Sequence, residues 1–144
     1  MRYKRFREGA ITPTKADAGS AGYDLYANID AITRIKHGET VVINTGIGVE
    51  IPEGYFGAIF ARSGLATKEG LRPANAVGVI DPSYRGEIRV ALHNDSTEDA
   101  WISPSQRIAQ LVLIPYSDVG EWEEVEELSK TERGEGGFGH SGKQ

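Results

Sequence analysis

Arg107-Ile-Ala-Gln-Leu-Val-Leu-Ile114 is apolar on both faces apart from Arg107 and Gln110. A short apolar run with several β-branched residues predicts a strand buried within a sheet. An unpaired polar group in such a strand costs about 1–3 kcal/mol, so both polar residues are expected to have partners. For Arg107 we favour a purely structural ion pair with an acidic neighbour.

Strand-like runs of similar length occupy much of the chain, namely Thr40–Asn44, Ile47–Ile51, Tyr55–Phe60 and Glu87–Leu92. The last of them alternates and places Ile88, Val90 and Leu92 on one face. One short helix is predicted to begin at Ser63, a residue type that caps helices, and to end before Gly70. Many short strands with a single short helix predict an all-β fold, a sandwich or a barrel.

The composition is that of one domain with an acidic surface. The 144 residues carry 16 basic and 21 acidic side chains, a formal net charge of -5, and no cysteine. This balance argues against a nucleic-acid polymer as partner, because phosphate backbones bind to basic surfaces. The lack of cysteine excludes disulfides and thiolate chemistry. No run approaches the ~20 apolar residues of a membrane span, so a cytoplasmic protein with no membrane partner is expected.

The chain contains no internal repeat and no interior linker, which predicts a single domain over residues 1–128 and a flexible Gly-rich tail over residues 129–144. Residues 121–128 are ambiguous. Apolar residues recur there at every third position, namely Trp122, Val125 and Leu128. That spacing leans towards a helix, but the segment is short and acidic, so we favour a solvated edge with one anchored tryptophan.

The tail contains the most distinctive motif, Arg133-Gly-Glu-Gly-Gly-Phe-Gly-His-Ser-Gly142. Glycines let backbone amides approach an anion closely, and arginine offers a fork of donors to phosphate oxygens. Phe138 adds a flat face for stacking. These residue types suggest that the tail closes over a nucleotide, although a plain flexible tail is an equally simple interpretation of the motif alone.

Three further segments place polar residues beside apolar runs. Asp24 interrupts a strand-like run, either as a functional carboxylate or as a ladder-end residue. Ser63, next to Arg62, either contacts a phosphate or only caps the short helix. Asp81 leaves an apolar run inside a predicted hairpin, 75–87, where it is either a general base or an Asx-turn residue before proline.

These segments together resemble, in their order, the five motifs of the homotrimeric dUTPases (dUTP diphosphatases). The matching segments are Ala21-Gly-Tyr-Asp-Leu25, Arg62-Ser-Gly-Leu-Ala66, Gly78-Val-Ile-Asp-Pro-Ser-Tyr-Arg-Gly-Glu87, Arg107-Ile-Ala-Gln110 and Arg133-Gly-Glu-Gly-Gly-Phe-Gly139. The resemblance implies a jelly-roll β fold and a trimer with three active sites, each built from all three subunits. It also implies Mg²⁺-assisted hydrolysis of dUTP to dUMP and pyrophosphate, which supplies dUMP and keeps uracil out of DNA.

The same resemblance implies a role for each site residue. Asp81 activates the water that attacks the α-phosphorus, and Tyr84 packs against the deoxyribose and excludes a 2′-hydroxyl. Asp24 supports Mg²⁺ through a bound water. Residues expected to read uracil are Asn75, Gly78, Val79, Ile80 and, stacked over it, Phe138. Residues expected to hold the phosphates are Arg62, Ser63, Gly64, Gln110, Arg133, Gly139 and Ser141.

Departures from the family pattern are few. Ser105 stands where glycine is usual, and this difference affects only a turn. His140 stands where serine or threonine is frequent, and we assign it no catalytic role.

The nearest rival function is that of a dCTP deaminase, which needs a glutamate at the cytosine ring. Glu87 lies only at the far end of the predicted hairpin. A catalytically silent binding protein and a capsid-type or lectin-type jelly roll are more distant rivals, and neither explains all five motifs.

Overall fold

The computed structural model describes residues 1–137 and is built almost entirely from short strands. The elements are β1 (Tyr3–Arg5), β2 (Tyr23–Tyr26), β3 (Thr33–Ile35), β4 (Thr40–Asn44), β5 (Ile47–Val49), β6 (Tyr55–Ala61), α1 (Ser63–Lys68), β7 (Leu71–Pro73), β8 (Gly78–Ile80), β9 (Arg89–Asn94), β10 (Ala100–Ile102) and β11 (Arg107–Pro115). The predicted all-β class with one short helix is confirmed. Within residues 1–137, no helix has the length and apolar character needed to cross a membrane.

Strand β11 lies inside a four-stranded antiparallel sheet of order β2-β11-β6-β8. It pairs with β6 along most of its length, from Ala109 opposite Ala61 to Pro115 opposite Tyr55. On its other side Gln110 lies opposite Asp24 of β2, and the register shifts between Arg107 and Ala109. The prediction that residues 107–114 form a strand inside a sheet is therefore confirmed, and its two polar residues lie next to β2.

A second, three-stranded sheet has the order β4-β9-β7, and the pairs β1-β5 and β10-β3 form two separate two-stranded sheets. The apolar face predicted for β9 is buried: Ile88, Val90 and Leu92 are at most 2% exposed. These side chains pack into one hydrophobic cluster with residues of the first sheet, including Ile59 and Leu111. Burial of this face stabilises the fold by roughly 1.5–3 kcal/mol for each large aliphatic side chain.

The hairpin predicted around Asp81 is wrong. Strand β8 pairs with β6 in the first sheet, whereas β9 pairs with β4 and β7 in the second. Residues 81–88 therefore cross from one layer to the other. The turn residues of this segment indicate that the chain changes direction, but not which sheet receives the next strand.

Residues 121–128 contain no regular element, and the prediction of an acidic, solvated edge is confirmed. The prediction of an anchored tryptophan is wrong, since Trp122 is 94% exposed. At the short helix, the cap is Arg62 without a side-chain hydrogen bond, so Ser63 is the first helical residue and does not cap it. Gly70 ends this element as predicted, with a φ of 66°.

Ser105 occupies a turn that favours glycine. The Gln106 amide donates to the Ser103 carbonyl at 3.2 Å across the turn, and Ser105 has a φ of 64°. With proline at the preceding position, this is the arrangement of a type II turn, in which a residue with a side chain is strained.

Ser105→Gly is expected to raise the free energy of unfolding by up to about 1 kcal/mol, because relief of the left-handed strain, about 1–2 kcal/mol, outweighs the added freedom that glycine gives the unfolded chain, roughly 0.5–1 kcal/mol. Chemical denaturation monitored by tryptophan fluorescence measures the change. The matched control is Ser103→Gly in the same turn, which removes no such strain and is expected to be destabilising through the added freedom of the unfolded chain. Equal effects of the two substitutions would contradict the strain at Ser105.

Candidate active site

A cleft of about 370 Å³ opens where β8 ends and the chain crosses to the second sheet. It is lined by Val42, Val79, Ile80, Asp81, Tyr84, Glu87, Ile88, Arg89 and Ala91. Val79 is 62% exposed although it is aliphatic, and Tyr84 is 40% exposed. The cleft thus combines apolar walls with one exposed carboxylate, that of Asp81. We refer to it as the Asp81 cleft.

Asp81 is held at the mouth of this cleft by the strand before it and the turn after it. Strand β8 pairs with β6, with Ile80 opposite Gly57, and Asp81 is the next residue. The Tyr84 amide donates to the Asp81 carbonyl at 3.1 Å, which closes a tight turn. The backbone of Asp81 is therefore fixed on both sides while its side chain faces solvent, as a base that must reach a water requires.

The loop before β8 is strained. Ala76 has a φ of 59°, in the left-handed region that alanine rarely adopts, and the Val77 amide donates to the Asn75 carbonyl at 2.6 Å. Gly78 packs tightly against β6, since a Cβ there would lie 3.1 Å from the Cβ of Ile59. Neither Asn75 nor Gly78 lines the Asp81 cleft directly. Strain of this kind often accompanies a binding function.

A second cleft of about 320 Å³ lies at the β2 side of the same sheet. It is lined by Ala16, Ser20, Ala21, Gly22, Asp24, Arg62, Ser63 and Gln110. The predicted phosphate-binding side chains Arg62, Ser63 and Gln110 therefore do come together, and Asp24 is with them. We refer to this cleft as the Asp24 cleft.

Asp24 is held by two arginines. Its carboxylate accepts a hydrogen bond from Arg62 Nε at 2.9 Å and another from Arg107 Nη1 at 3.2 Å, and its side chain is only 12% exposed. The ion pair predicted for Arg107 is confirmed, with Asp24 as the acidic partner. Two guanidinium groups against one carboxylate give this cluster a net positive charge, which suits an anionic ligand. Of the two arginines, Arg62 lines the Asp24 cleft itself.

Gln110 is fixed by Gly22, a glycine to which the sequence motifs assign no role. The Nε2 of Gln110 donates to the Ala61 carbonyl at 2.9 Å. A Cβ on Gly22 would lie 2.6 Å from Gln110 Oε1, so a larger residue there would displace the Gln110 side chain. The sequence feature that could have indicated this contact is Gly22 directly before an aromatic strand, because a glycine at such a place often marks the close approach of another chain segment.

Gly64 lines an adjoining cleft of about 480 Å³ rather than the Asp24 cleft itself. Arg62 borders both, and the adjoining cleft also contains Lys68 and Arg107. Three cationic side chains and the carboxylate of Glu69 therefore border this adjoining cleft along the helix. Ser63 is exposed at the helix start.

The described residues suit Mg²⁺ only when the ion is bound mainly by the phosphate oxygens of the substrate. Residues 1–137 contain no group of three or more metal-ligating side chains. Both carboxylate oxygens of Asp24 already accept hydrogen bonds from arginine. A carboxylate in this state suits a contact through a metal-bound water better than direct ligation, and Mg²⁺ commonly keeps waters beside phosphates.

The two clefts do not merge within one chain. Asp24 lies on β2 and Asp81 follows β8, and these are the outer strands of the four-stranded sheet. Three strand spacings separate them, about 14 Å across the sheet. Arg133 is exposed, and its Nε donates to the Gly136 carbonyl at 2.8 Å within its own turn. Phe138, Gly139 and Ser141 lie outside the described residues.

Comparison with known proteins identifies the chain. Residues 8–142 match the family model described as dUTPase. The chain belongs to the dUTPase family. A deoxyuridine 5'-triphosphate nucleotidohydrolase of Anaplasma marginale is 46% identical and aligns over 93% of this chain and 90% of its own length. One of the same name from Hydrogenobaculum is 45% identical over 96% of this chain and 95% of its length.

Solved dUTPase structures share the fold. The dUTPase of Staphylococcus bacteriophage 80alpha with dUPNHPP has a TM-score of 0.88 and 31% identity, covering 98% of this chain and 97% of its own. A variant dUTPase from phage phi11 of S. aureus, in which a structural Mg(II) ion is coordinated, has a TM-score of 0.77 and 26% identity, over 88% and 96% of the two chains. The predicted dUTPase fold and activity, hydrolysis of dUTP to dUMP and pyrophosphate, are confirmed by this membership.

Proposed function

We propose that hydrolysis occurs at the Asp81 cleft, with the Asp81 carboxylate as the base. Its exposed side chain, fixed between β8 and a tight turn, is the observation that carries this proposal. Asp81 accepts a proton from a water whose oxygen attacks the α-phosphorus of dUTP. The bond from that phosphorus to the bridging oxygen breaks, and pyrophosphate leaves while dUMP remains.

Tyr84 selects the sugar in this proposal. Its ring lines the cleft two residues after Pro82, and its hydroxyl is engaged by the Glu87 carbonyl at 2.9 Å. A ring held in this way is a rigid wall against the deoxyribose and leaves no room for a 2′-hydroxyl. The base is read by the strained loop with Asn75 and by the backbone of β8, whose fixed donors and acceptors disfavour cytosine.

The Asp24 cleft binds the triphosphate. The net positive charge of the cluster around Asp24 and the Ser63 hydroxyl, which is not used as a helix cap, support this role. Gln110 contributes its amide next to Arg62. Mg²⁺ on the triphosphate would neutralise phosphate charge, and the Asp24 carboxylate would hold it through a bound water. Asp24 also holds Arg62 and Arg107 in place, so it has a structural role in addition to its proposed role at the metal.

The chain acts as a homotrimer in which one copy supplies the Asp81 cleft and a neighbour supplies the Asp24 cleft. The separation of about 14 Å across one sheet supports this arrangement, because the α-phosphate must contact the base while the adjoining phosphates contact the second cleft. The tail, residues 129–144, closes the site from the third copy. Arg133, Gly139 and Ser141 then contact phosphates, and Phe138 stacks on uracil.

We expect pyrophosphate release to be fast with dUTP and at least about 100-fold slower with dCTP, dTTP or UTP. Each of these competitors either leaves a polar group of the site unpaired or clashes sterically with the site, as the 2′-hydroxyl of UTP does with Tyr84. Release is expected to fall with excess chelator. The measurement is a coupled pyrophosphate assay on one preparation, with the solution mass determined by light scattering. Equal release from dUTP and UTP would contradict the role of Tyr84, and a fully active monomer would contradict the shared site.

A further inference from the structure

The Tyr84 ring is oriented by the backbone of the turn that follows it. Its hydroxyl donates to the Glu87 carbonyl at 2.9 Å. The ring also lies directly on Gly86, where an added Cβ would clash with the hydroxyl oxygen and would lie 2.6 Å from the ring carbon that bears it. The position of the ring therefore depends on where residues 86 and 87 are held.

The Glu87 side chain ties this turn to two other parts of the chain. Its Oε1 accepts hydrogen bonds from the Gly46 amide at 2.8 Å and from Arg7 Nε at 3.1 Å. The side chain of Glu87 is 14% exposed, whereas that of Arg7 is 49% exposed. A largely buried carboxylate with two donors is a firm anchor, because the buried Gly46 amide would be left unpaired without it. The half-exposed Arg7 adds less, since an unpaired guanidinium can be hydrated.

The backbone around this anchor is tightly packed as well. A Cβ on Gly48 of β5 would lie 2.6 Å from the Gly86 carbonyl oxygen and 2.5 Å from the Phe6 ring. The Ile88 amide donates to the Ile47 carbonyl at 2.8 Å. The turn, β5 and the segment after β1 therefore form one packed unit, and Glu87 is the charged group that joins all three.

We propose that Glu87 is a positioning residue for sugar selection, acting through its own carbonyl on the Tyr84 hydroxyl and held in place by Arg7 and the Gly46 amide. This inference rests on the proposed role of Tyr84 in rejecting the 2′-hydroxyl. Although Glu87 borders the Asp81 cleft, its role in this proposal is to orient Tyr84 and not to contact the reacting atoms. Because Arg7 helps to anchor Glu87, discrimination between dUTP and UTP depends on the N-terminal segment. That segment is distant in the sequence from Asp81 and Tyr84.

The test compares kcat/KM for dUTP and for UTP in the variants Glu87→Ala, Glu87→Gln and Arg7→Ala. We expect Glu87→Ala to lower the dUTP/UTP ratio about tenfold, mainly by improving UTP, since a looser ring admits the extra hydroxyl. Glu87→Gln keeps an acceptor for the Gly46 amide and is expected to retain most of the ratio. Arg7→Ala is expected to lower the ratio by about threefold.

The matched control is Arg34→Ala. Arg34 forms an ion pair with Asp99 between β3 and β10, and its side chain is 50% exposed, close to that of Arg7. We expect its dUTP/UTP ratio to equal that of the unaltered enzyme. A ratio lowered equally in Arg34→Ala and Arg7→Ala would overturn the proposal, because general loss of stability would then explain both.

Tyr84→Ala and Tyr84→Phe separate this inference from the function on which it rests. If Tyr84→Ala leaves the ratio unchanged, Tyr84 does not read the sugar and both proposals fail. If Tyr84→Ala abolishes discrimination while folded Glu87→Ala and Arg7→Ala keep it, only the role of Glu87 fails. If Glu87→Ala does not fold, the test uses Tyr84→Phe and Arg7→Ala instead. Tyr84→Phe removes the hydroxyl that contacts the Glu87 carbonyl, so we expect it to lower the dUTP/UTP ratio. An unchanged ratio in both Tyr84→Phe and Arg7→Ala would overturn the proposal.

Discussion

Replacing Asp81 by asparagine is expected to lower kcat for dUTP by about 10²–10⁴-fold, the range for loss of a general base. The amide keeps the shape of the side chain but cannot accept the proton from the attacking water. Binding should change little, because Asp81 is exposed at the cleft and its carbonyl, which closes the turn to Tyr84, is retained. Single-turnover kinetics and dUTP titration by calorimetry measure the two effects separately.

The control for this substitution is Asp30→Asn, in the exposed loop between β2 and β3. It removes one negative charge from the same chain without touching either cleft, and we expect normal turnover. Near-normal turnover in Asp81→Asn would mean that another group is the base. A large loss of dUTP affinity in that variant, with turnover of the bound substrate intact, would make Asp81 a binding residue instead.

Deleting residues 133–144 is expected to leave a folded trimer whose kcat/KM for dUTP falls by about 10²–10³-fold. The removed segment contains one arginine, several glycine amides and Phe138, and loss of even one preorganised donor to a developing charge has an effect of this size. If the tail closes the site as proposed, its loss also readmits water. Steady-state kinetics and light scattering provide the measurement.

Deletion of residues 143–144 alone is the matched control, since it shortens the chain but keeps every residue assigned to the substrate, and full activity is expected. A monomeric product from the longer deletion would show that the tail serves mainly in assembly. Unchanged kinetics with an intact trimer would remove the tail from the catalytic mechanism altogether.

The fold class was accessible from the sequence because its main signals are local. The apolar run that forms β11 and the alternation in β9 both specify buried faces, and burial decides where such strands lie. The exposed strand β1 and the short strands β3 and β10 were not predicted. Strand β1 has no buried face in its three residues, so its pairing with β5 is set by tertiary context rather than by its own pattern.

The candidate site was predicted residue by residue from motifs, whereas its supporting contacts were not. The contact between Gly22 and Gln110 joins two strands that are far apart in the sequence, and only the sheet register brings them together. The contact between Glu87 and Arg7 likewise joins residues that are 80 positions apart in the sequence and that only the fold brings together. The mistaken hairpin has a related cause, because the turn at Asp81 specifies local geometry but not the layer that β9 joins.

Co-expression of two differently tagged inactive variants provides the most direct measurement of the shared site. One is Asp81→Asn; the other combines Ser63→Ala with Gln110→Ala, so each variant keeps one cleft intact. Trimers carrying both tags are purified and assayed with dUTP. If the site joins neighbouring copies, activity returns to about one third of the unaltered enzyme, because a ring containing both kinds has one neighbouring pair in the productive order. Activity no greater than that of the two parents would contradict a site shared between copies.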